Sequence, residues 1–376
     1  MGSSSSKDAV SSHSSTLEKV SAGGYGSLDG LLAALQEHEP SRVFATTAVI
    51  ADRRITAECD DQPFFSEFFA MFGGAAPSPG RLAGPSDMHV DIRSRPGPDF
   101  GWFRMSGSSD APIDASEFNF AVELDHGNFE VFAAKEPGWK CVAFRGSAVP
   151  AFAFRGRDCL FALDHRWRLS IMWYLFWRLL RLRSDAIFFH ASALGIDGEG
   201  TIFVGPGGAG KSTTALALTA RGHNFLSDEV AGYLPATGEL IPFRRPVGIK
   251  PGPRASAVAH SLTPAIAERI ERDGFIRVDV DTLFPVQPPR PVPLRRIVFL
   301  RGFAERPALD RISPGRREIV ELQPLMSSFL NAPHSRRVFE LTRLLASAKV
   351  YQLCPGEPDT TAQYLEEAFA CEKSQR

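Results

Sequence analysis

The sequence of 376 residues has few cysteines, no surplus of charge and no long uninterrupted apolar run. Its five cysteines, Cys59, Cys141, Cys159, Cys354 and Cys371, are scattered and never spaced C-x-x-C. An odd, dispersed set excludes a disulfide framework or a zinc ribbon as the organising device, and fits reduced thiols in a cytoplasmic protein. Formal net charge is −1. No global basic field therefore draws in nucleic acid or an anionic membrane. The most apolar segment, Leu169 to Leu182, carries Trp173, Tyr174, Phe176 and Trp177, but it is too short to span a bilayer, and Arg178 and Arg181 interrupt it. It reads as a buried core helix, with an interfacial helix as the alternative. Residues 1–27 are rich in Ser and Gly without an apolar h-region, and read as a flexible tail and not a signal peptide.

What is present is ordinary globular material: 44% hydrophobic and 23% charged residues, in a chain long enough for two domains. Ser27 to Gln36 reads as a short helix with Ser27 as its cap. After a Pro/Gly-rich loop from Gly73 to Pro85, the pattern turns to β: Met88 to Arg93, Glu117 to Leu124, Asn128 to Phe132 and Lys140 to Phe144, with a turn signal at Asp125 to Asn128. The expected N-terminal domain, residues 28–163, is thus β-rich and mostly antiparallel. A helix from about Asp164 to Arg183 opens a second domain, residues 164–376. There strands (Ile187 to Ile196, Thr201 to Val204, Asn224 to Ser227, Arg295 to Leu300, Val350 to Leu353) alternate with helical patterns (His334 to Ala348, Asp359 to Ala370). Val286 to Pro293 and Arg244 to Pro253 read as loops. This alternation is that of an α/β nucleotide-binding core.

The chemistry is concentrated in Gly205-Pro206-Gly207-Gly208-Ala209-Gly210-Lys211-Ser212, which fits the phosphate-loop pattern G-x-x-x-x-G-K-[ST] between an expected strand and an expected helix beginning at Thr213. Glycines let backbone N–H groups turn inward around phosphate oxygens. The helix N-terminus adds partial positive charge, Lys211 reaches the terminal phosphates, and the Ser212 hydroxyl can ligate Mg2+. Phe225-Leu-Ser-Asp228-Glu229 ends the next strand in two acids, where a metal-orienting carboxylate or a proton-accepting base is needed. His190 sits in an apolar stretch before the loop. Arg244, Arg245 and Lys250 suit either phosphate and acceptor contacts or a solvated basic loop.

His190, the loop, the continuation through Arg221-Gly222-His223 and the Ser227-Asp228-Glu229 strand end together resemble the catalytic domain of HPr kinase/phosphorylase and its kinase-only relatives, including kinases of lasso-peptide and other peptide-modification clusters. The resemblance covers about His190 to Gly248, and more loosely the C-terminal strand and helix. It implies an HPr kinase C-terminal-like fold, ATP and Mg2+ as cofactors, and a protein or peptide hydroxyl as acceptor. By the same resemblance Lys211 and Ser212 are the loop lysine and metal hydroxyl, Asp228 is the base, His190 is its partner, and Glu229 replaces a second metal-binding aspartate. The Glu-x-Arg-Gly-Leu-Gly element of the phosphorylase-type members reads Pro242-Phe-Arg-Arg-Pro-Val-Gly-Ile-Lys250 here and lacks its acid, which implies a kinase without the reverse reaction. A nucleotide-dependent switch and a kinase of small-molecule alcohols stand as alternatives, since phosphate loops serve all three.

Overall fold

The computed structural model describes residues 43–50, 53–70, 78–79, 86–94, 100–107, 129–133, 140–144, 152–155, 158–162, 176, 180, 185–249, 266, 268, 272, 276–285, 288–326 and 334–374. By its contacts the chain forms two units: Met1–Val49 with Arg53–Ala70 and Gly74–Leu182, and Ile50–Asp52 with Met71–Gly73 and Arg183–Arg376. The tail, the helix at Ser27 to Gln36, the strand at Glu117 to Leu124, the turn at residues 125–128 and the boundary at 163/164 lie outside the described residues. Of the expected helix at Asp164 to Arg183, Phe176 and Leu180 are described, and both are helical and buried. No helix among the described residues is long and apolar enough to cross a membrane.

The first unit holds a nine-stranded sheet. Its strands are β1 (Phe44–Ile50), β2 (Arg53–Cys59), β3 (Ser78–Pro79), β4 (Met88–Ser94), β5 (Phe100–Gly107), β6 (Phe129–Ala133), β7 (Lys140–Phe144), β8 (Phe152–Arg155) and β9 (Asp158–Ala162), in the order β3-β1-β2-β4-β5-β9-β8-β7-β6. Three of the runs read as β are thus strands β4, β6 and β7. Most neighbours run antiparallel, but β2 and β4 are parallel, and such a pair needs a crossover. Helix α1 (Gln62–Ala70) lies in that connection. Phe64, Phe65, Phe68 and Phe69 share its buried face, at helical spacing, and Asp61 Oδ1 caps it by accepting from the Phe64 N–H at 2.9 Å.

The second unit is built on a mixed sheet. Its strands are β10 (Ile187–Phe189), β11 (Ser192–Ile196), β12 (Glu199–Val204), β13 (Asn224–Ser227), β14 (Ala231–Leu234), β15 (Glu239–Ile241), β18 (Val292–Leu300), β19 (Ala308–Ile312) and β20 (Lys349–Cys354); β16 (Val247–Ile249) and β17 (Ile276–Val278) form a separate pair. The helices are α2 (Lys211–Ala220), α3 (Val280–Leu283), α4 (Arg316–Leu322), α5 (His334–Ser347) and α6 (Pro358–Ser374). Parallel pairs β12–β18 and β18–β20 form the centre. Side-chain parity along these strands fills two cores. Phe203, Val298, Leu300, Tyr351 and Leu353 pack with Leu216 and Leu218 of α2 and Leu365 and Phe369 of α6. Their neighbours Ile202, Val204, Ile297, Phe299 and Val350 pack with Leu341, Leu344 and Leu345 of α5. Helices therefore cover both faces, which is why β18 alternates buried and exposed up to Arg295 and is buried throughout from there.

Three expectations are corrected by this arrangement. The single extended run Ile187 to Ile196 is two strands, because β10 pairs with β14 whereas β11 pairs with β12 and β13. The loop at Arg244 to Pro253 contains β16, held by β17. The proline-rich loop ends early, since β18 starts at Val292, and Pro293 is tolerated at a strand's beginning.

Arg296 on β18 is 0% exposed. It pairs with Glu199 and, at 3.2 Å, with Glu372 of α6, and its guanidinium lies 4.3 Å over the Phe369 ring. Removing one member of such a cluster strands the opposite charges. We expect Arg296→Ala to cost about 3–5 kcal/mol, read as a lower urea midpoint. An unchanged midpoint contradicts this account of how α6 is tied to the sheet.

Candidate active site

The central strands finish at one edge. β12, β18 and β20 are mutually parallel and end at Val204, Leu300 and Cys354. β11 runs antiparallel to both β12 and β13, with Ser192 opposite Phe203 and Ala193 opposite Ser227. Its first residue therefore lies where β12 and β13 end. Open α/β sheets bind ligands at this carboxyl edge.

Residues 205–210 join β12 to α2 across the edge. Gly208 and Gly210 have φ of 80° and 99°, a left-handed geometry that side chains disfavour. Gly205 is required for another reason: a Cβ there would stand 3.1 Å from Leu300 Cβ and 3.2 Å from Ala209 Cβ. Around the would-be Cβ atoms of Gly207 and Gly208 there is open space. Pro206 is exposed and Ala209 buried. Gly210 caps α2 without any side chain, so the first-turn N–H groups, those of Ser212 and Thr213 included, have no side-chain cap. Such a terminus favours anions. Lys211 Nζ curls back and donates to Gly205 O at 2.7 Å and Pro206 O at 3.1 Å, which sets its ammonium against the loop backbone.

Asp228 follows β13 and is 3% exposed. Its Oδ1 accepts from Ser212 Oγ at 3.0 Å and from Ser192 Oγ at 2.5 Å, while Oδ2 is buried with no hydrogen-bond partner among the described residues. Burial raises the Asp228 pKa above the ordinary carboxylate value, the Ser192 bond opposes the rise, the Glu229 charge adds to it, and the Ser212 bond opposes it. Ser192, wholly buried, is the partner of Asp228 that sequence reasoning missed. Its one signal is a hydroxyl at the head of an otherwise apolar strand.

Glu229 adopts a left-handed φ of 62°, uncommon for a residue with a side chain. Its Oε2 meets Arg245 at 3.4 Å. Burial pushes the Arg245 guanidinium down to about 10, against the pull of Glu229, so it stays charged at neutral pH. Arg244 donates to Phe225 O at 3.1 Å and to Asp281 at 2.7 Å. Lys250 lies outside the described residues. Arg221 and His223, part of the sequence resemblance, both bond Glu366 of α6, at 2.7 Å and 2.8 Å, and so brace the far end of α2.

The residues at the loop fit a magnesium nucleotide on two observations: an open glycine cradle at an uncapped helix start, and an unpartnered buried carboxylate oxygen beside the Ser212 hydroxyl. Among the described residues no group of three or more His, Cys, Asp or Glu could hold a metal alone. Mg2+ does not require one, since it keeps waters and phosphate oxygens and takes one or two protein carboxylates.

No family model matches the chain. Over 62 residues it is 40% identical to HPr kinase/phosphorylase of Nitrosomonas europaea, a stretch covering 16% of this chain and 19% of that one. The homology is thus weak and confined to about a fifth of the relative's length. The solved HPr(Ser) kinase/phosphatase of Coxiella burnetii aligns with 50% of this chain and 97% of its own, at 16% identity and a TM-score of 0.24, too low to carry fold or function across.

His190 is solvent-accessible, but burial of its surroundings first and the Lys211 charge second hold its imidazole below the ordinary histidine value, against the opposing pull of Asp228. A histidine depressed in this way favours the fold while neutral. Its contribution to stability is therefore lost as pH falls from the ordinary value through the folded one. In the metal-free protein, the His190 ring resonance should titrate below 6.5, and Lys211→Met should move the midpoint upward. A Lys211→Met midpoint equal to the parent's removes the Lys211 field from the site.

Proposed function

We propose that the chain is an ATP- and Mg2+-dependent phosphotransferase that moves the γ-phosphoryl group to a hydroxyl, on a serine or threonine of a protein or peptide. The observation that carries this reading is the Ser212–Asp228 contact, which sets a buried carboxylate against the first turn of the loop helix. The weak homology to a protein named HPr kinase/phosphorylase supports the class of reaction. We place the protein in the cytoplasm, with residues 28–163 as an accessory domain and 164–376 as the kinase domain.

In this reading the first-turn N–H groups of α2 and the loop backbone hold the phosphates. Lys211 leaves Gly205 O and Pro206 O for the terminal phosphates, and Ser212 and Asp228 hold the metal. Bound Mg2+ supplies neutralisation of the charge on the transferring group. As the acceptor oxygen bonds to the γ-phosphorus and the bond to the β–γ bridging oxygen breaks, releasing ADP, the hydroxyl proton passes to the Asp228 carboxylate. In the metal-free site burial raises the Asp228 pKa above the ordinary carboxylate value, the direction that suits a proton acceptor. His190, held neutral, adds no positive charge that would lower it. Glu229 serves the metal through its charge while Arg245 fixes its position. The stretch 242–250 has no acid, so nothing in it can activate inorganic phosphate for the reverse reaction.

The test is transfer of label from γ-labelled ATP in a fractionated extract, with two variants. Lys211→Ala should lose triphosphate binding without a change in melting temperature. Asp228→Asn should keep ATP affinity within about tenfold, roughly 1.4 kcal/mol, while transfer falls about 10²-fold or more. Because ionised Asp228 is disfavoured by burial, the ligand-free Asn variant should melt at least as high as the parent at neutral pH. Near-normal transfer by Asp228→Asn overturns the base assignment.

A further inference from the structure

The loop and Asp228 account for phosphates, metal and proton, but leave the base of a nucleotide without a place. Two chain segments leave the same sheet edge beside the loop, one after β18 and one after β20. Gly302 has a φ of 113°, which turns the chain just past Arg301. The next residue, Phe303, is 45% exposed, one of few large hydrophobic side chains so exposed among the described residues. Its ring is not at a random place on the surface. Phe303 Cε1 and Cζ lie 3.3 Å and 3.6 Å from where a Cβ on Gly210 would stand, and Pro355 Cγ lies 3.8 Å from the same point. An aromatic ring and a proline thus border the residue at which α2 begins.

The border is rigidly tied. Arg301 N donates to Leu353 O at 2.9 Å, Ala304 N to Pro355 O at 3.0 Å, and Gly356 N to Thr361 Oγ1 at 2.9 Å. Arg301 is anchored at 2.5 Å by Glu321 and sits 5.0 Å over the Phe299 ring. Backbone bonds on both sides of Phe303 fix its main chain beside the loop, where the side chain is exposed. An exposed aromatic on a fixed backbone is suited to stacking on a flat heteroaromatic ligand.

We propose that Phe303, with Pro355 beside it, is the base-stacking rim of the nucleotide site, taking the face of a purine whose phosphates lie in the 205–212 loop. The proposal rests on the nucleotide reading of that loop. Stacking reads a π-face and not a hydrogen-bonding edge, so losing it affects a nucleotide and spares a ligand made of phosphates alone.

The experiment compares binding of ATP and of inorganic tripolyphosphate, each with Mg2+, to the full chain by calorimetry. Phe303→Ala should weaken ATP about tenfold or more and leave tripolyphosphate unchanged. Phe303→Trp should restore ATP affinity and add a fluorescence signal, over that of the parent, which ATP quenches and tripolyphosphate does not. Lys211→Ala should weaken both ligands. Unchanged ATP affinity in Phe303→Ala, or equal loss of both ligands, overturns the rim while the loop assignment stands. A parent protein that binds neither ligand overturns the nucleotide reading and the rim together.

Discussion

A carboxylate removed from water at the end of a strand must find donors or lose its charge. Asp228 finds two hydroxyls, one from the first residue of β11 and one from the first turn of α2. The geometry of the site follows from that need. The β11–β12 hairpin closes through Asp197 and Gly198, both left-handed at φ of 51° and 79°, a two-residue turn matched to strand twist. It brings Ser192 back to the edge that β12 leaves. Without the antiparallel β11 between the two parallel strands, Ser192 would start at the opposite edge and Asp228 would lack its shortest bond.

Charge at the site is divided by backbone conformation. Asp228 and Glu229 are adjacent in sequence, and two carboxylates turned into one buried space would repel. The left-handed residue at Glu229 costs of order 1–3 kcal/mol. It goes with a division of partners, Asp228 to the two serines and Glu229 to the buried Arg245. Lys211 meanwhile rests on loop carbonyls, close enough to His190 to discourage a second positive charge there. The proposed chemistry uses this separation: Asp228 takes the metal and the proton, while Glu229, fixed by Arg245, adds its charge to the metal site.

The loop and its flanks were legible because each residue type there has a local reason. Glycines need positive φ or close packing, the lysine and serine follow at fixed spacing, and the apolar runs on either side mark strand and helix. Asp228 was legible as a strand-end acid. Ser192 was not, since nothing local distinguishes a buried serine at a strand start from any other, and only the β11–β13 register brings it to Asp228. Phe303 was equally hidden, because one phenylalanine after a strand carries no period. Arg244 and Arg245 read alike in sequence, yet one pairs with Asp281 and the other with Glu229. In the first unit α1 went unread although Asp61, Pro63 and four phenylalanines mark its start and face; a nine-residue helix among strands gives too short a window for helical periodicity to stand out.

The central claim is that Ser212 and Asp228 form one metal-holding pair at the mouth of the loop. It is tested most directly by the Mg2+ dependence of ATP affinity in the parent protein and in Ser212→Ala. The account predicts that Mg2+ tightens ATP binding to the parent and has little effect on the variant, whose affinity without metal is close to the parent's. Equal tightening by Mg2+ in both proteins would contradict it.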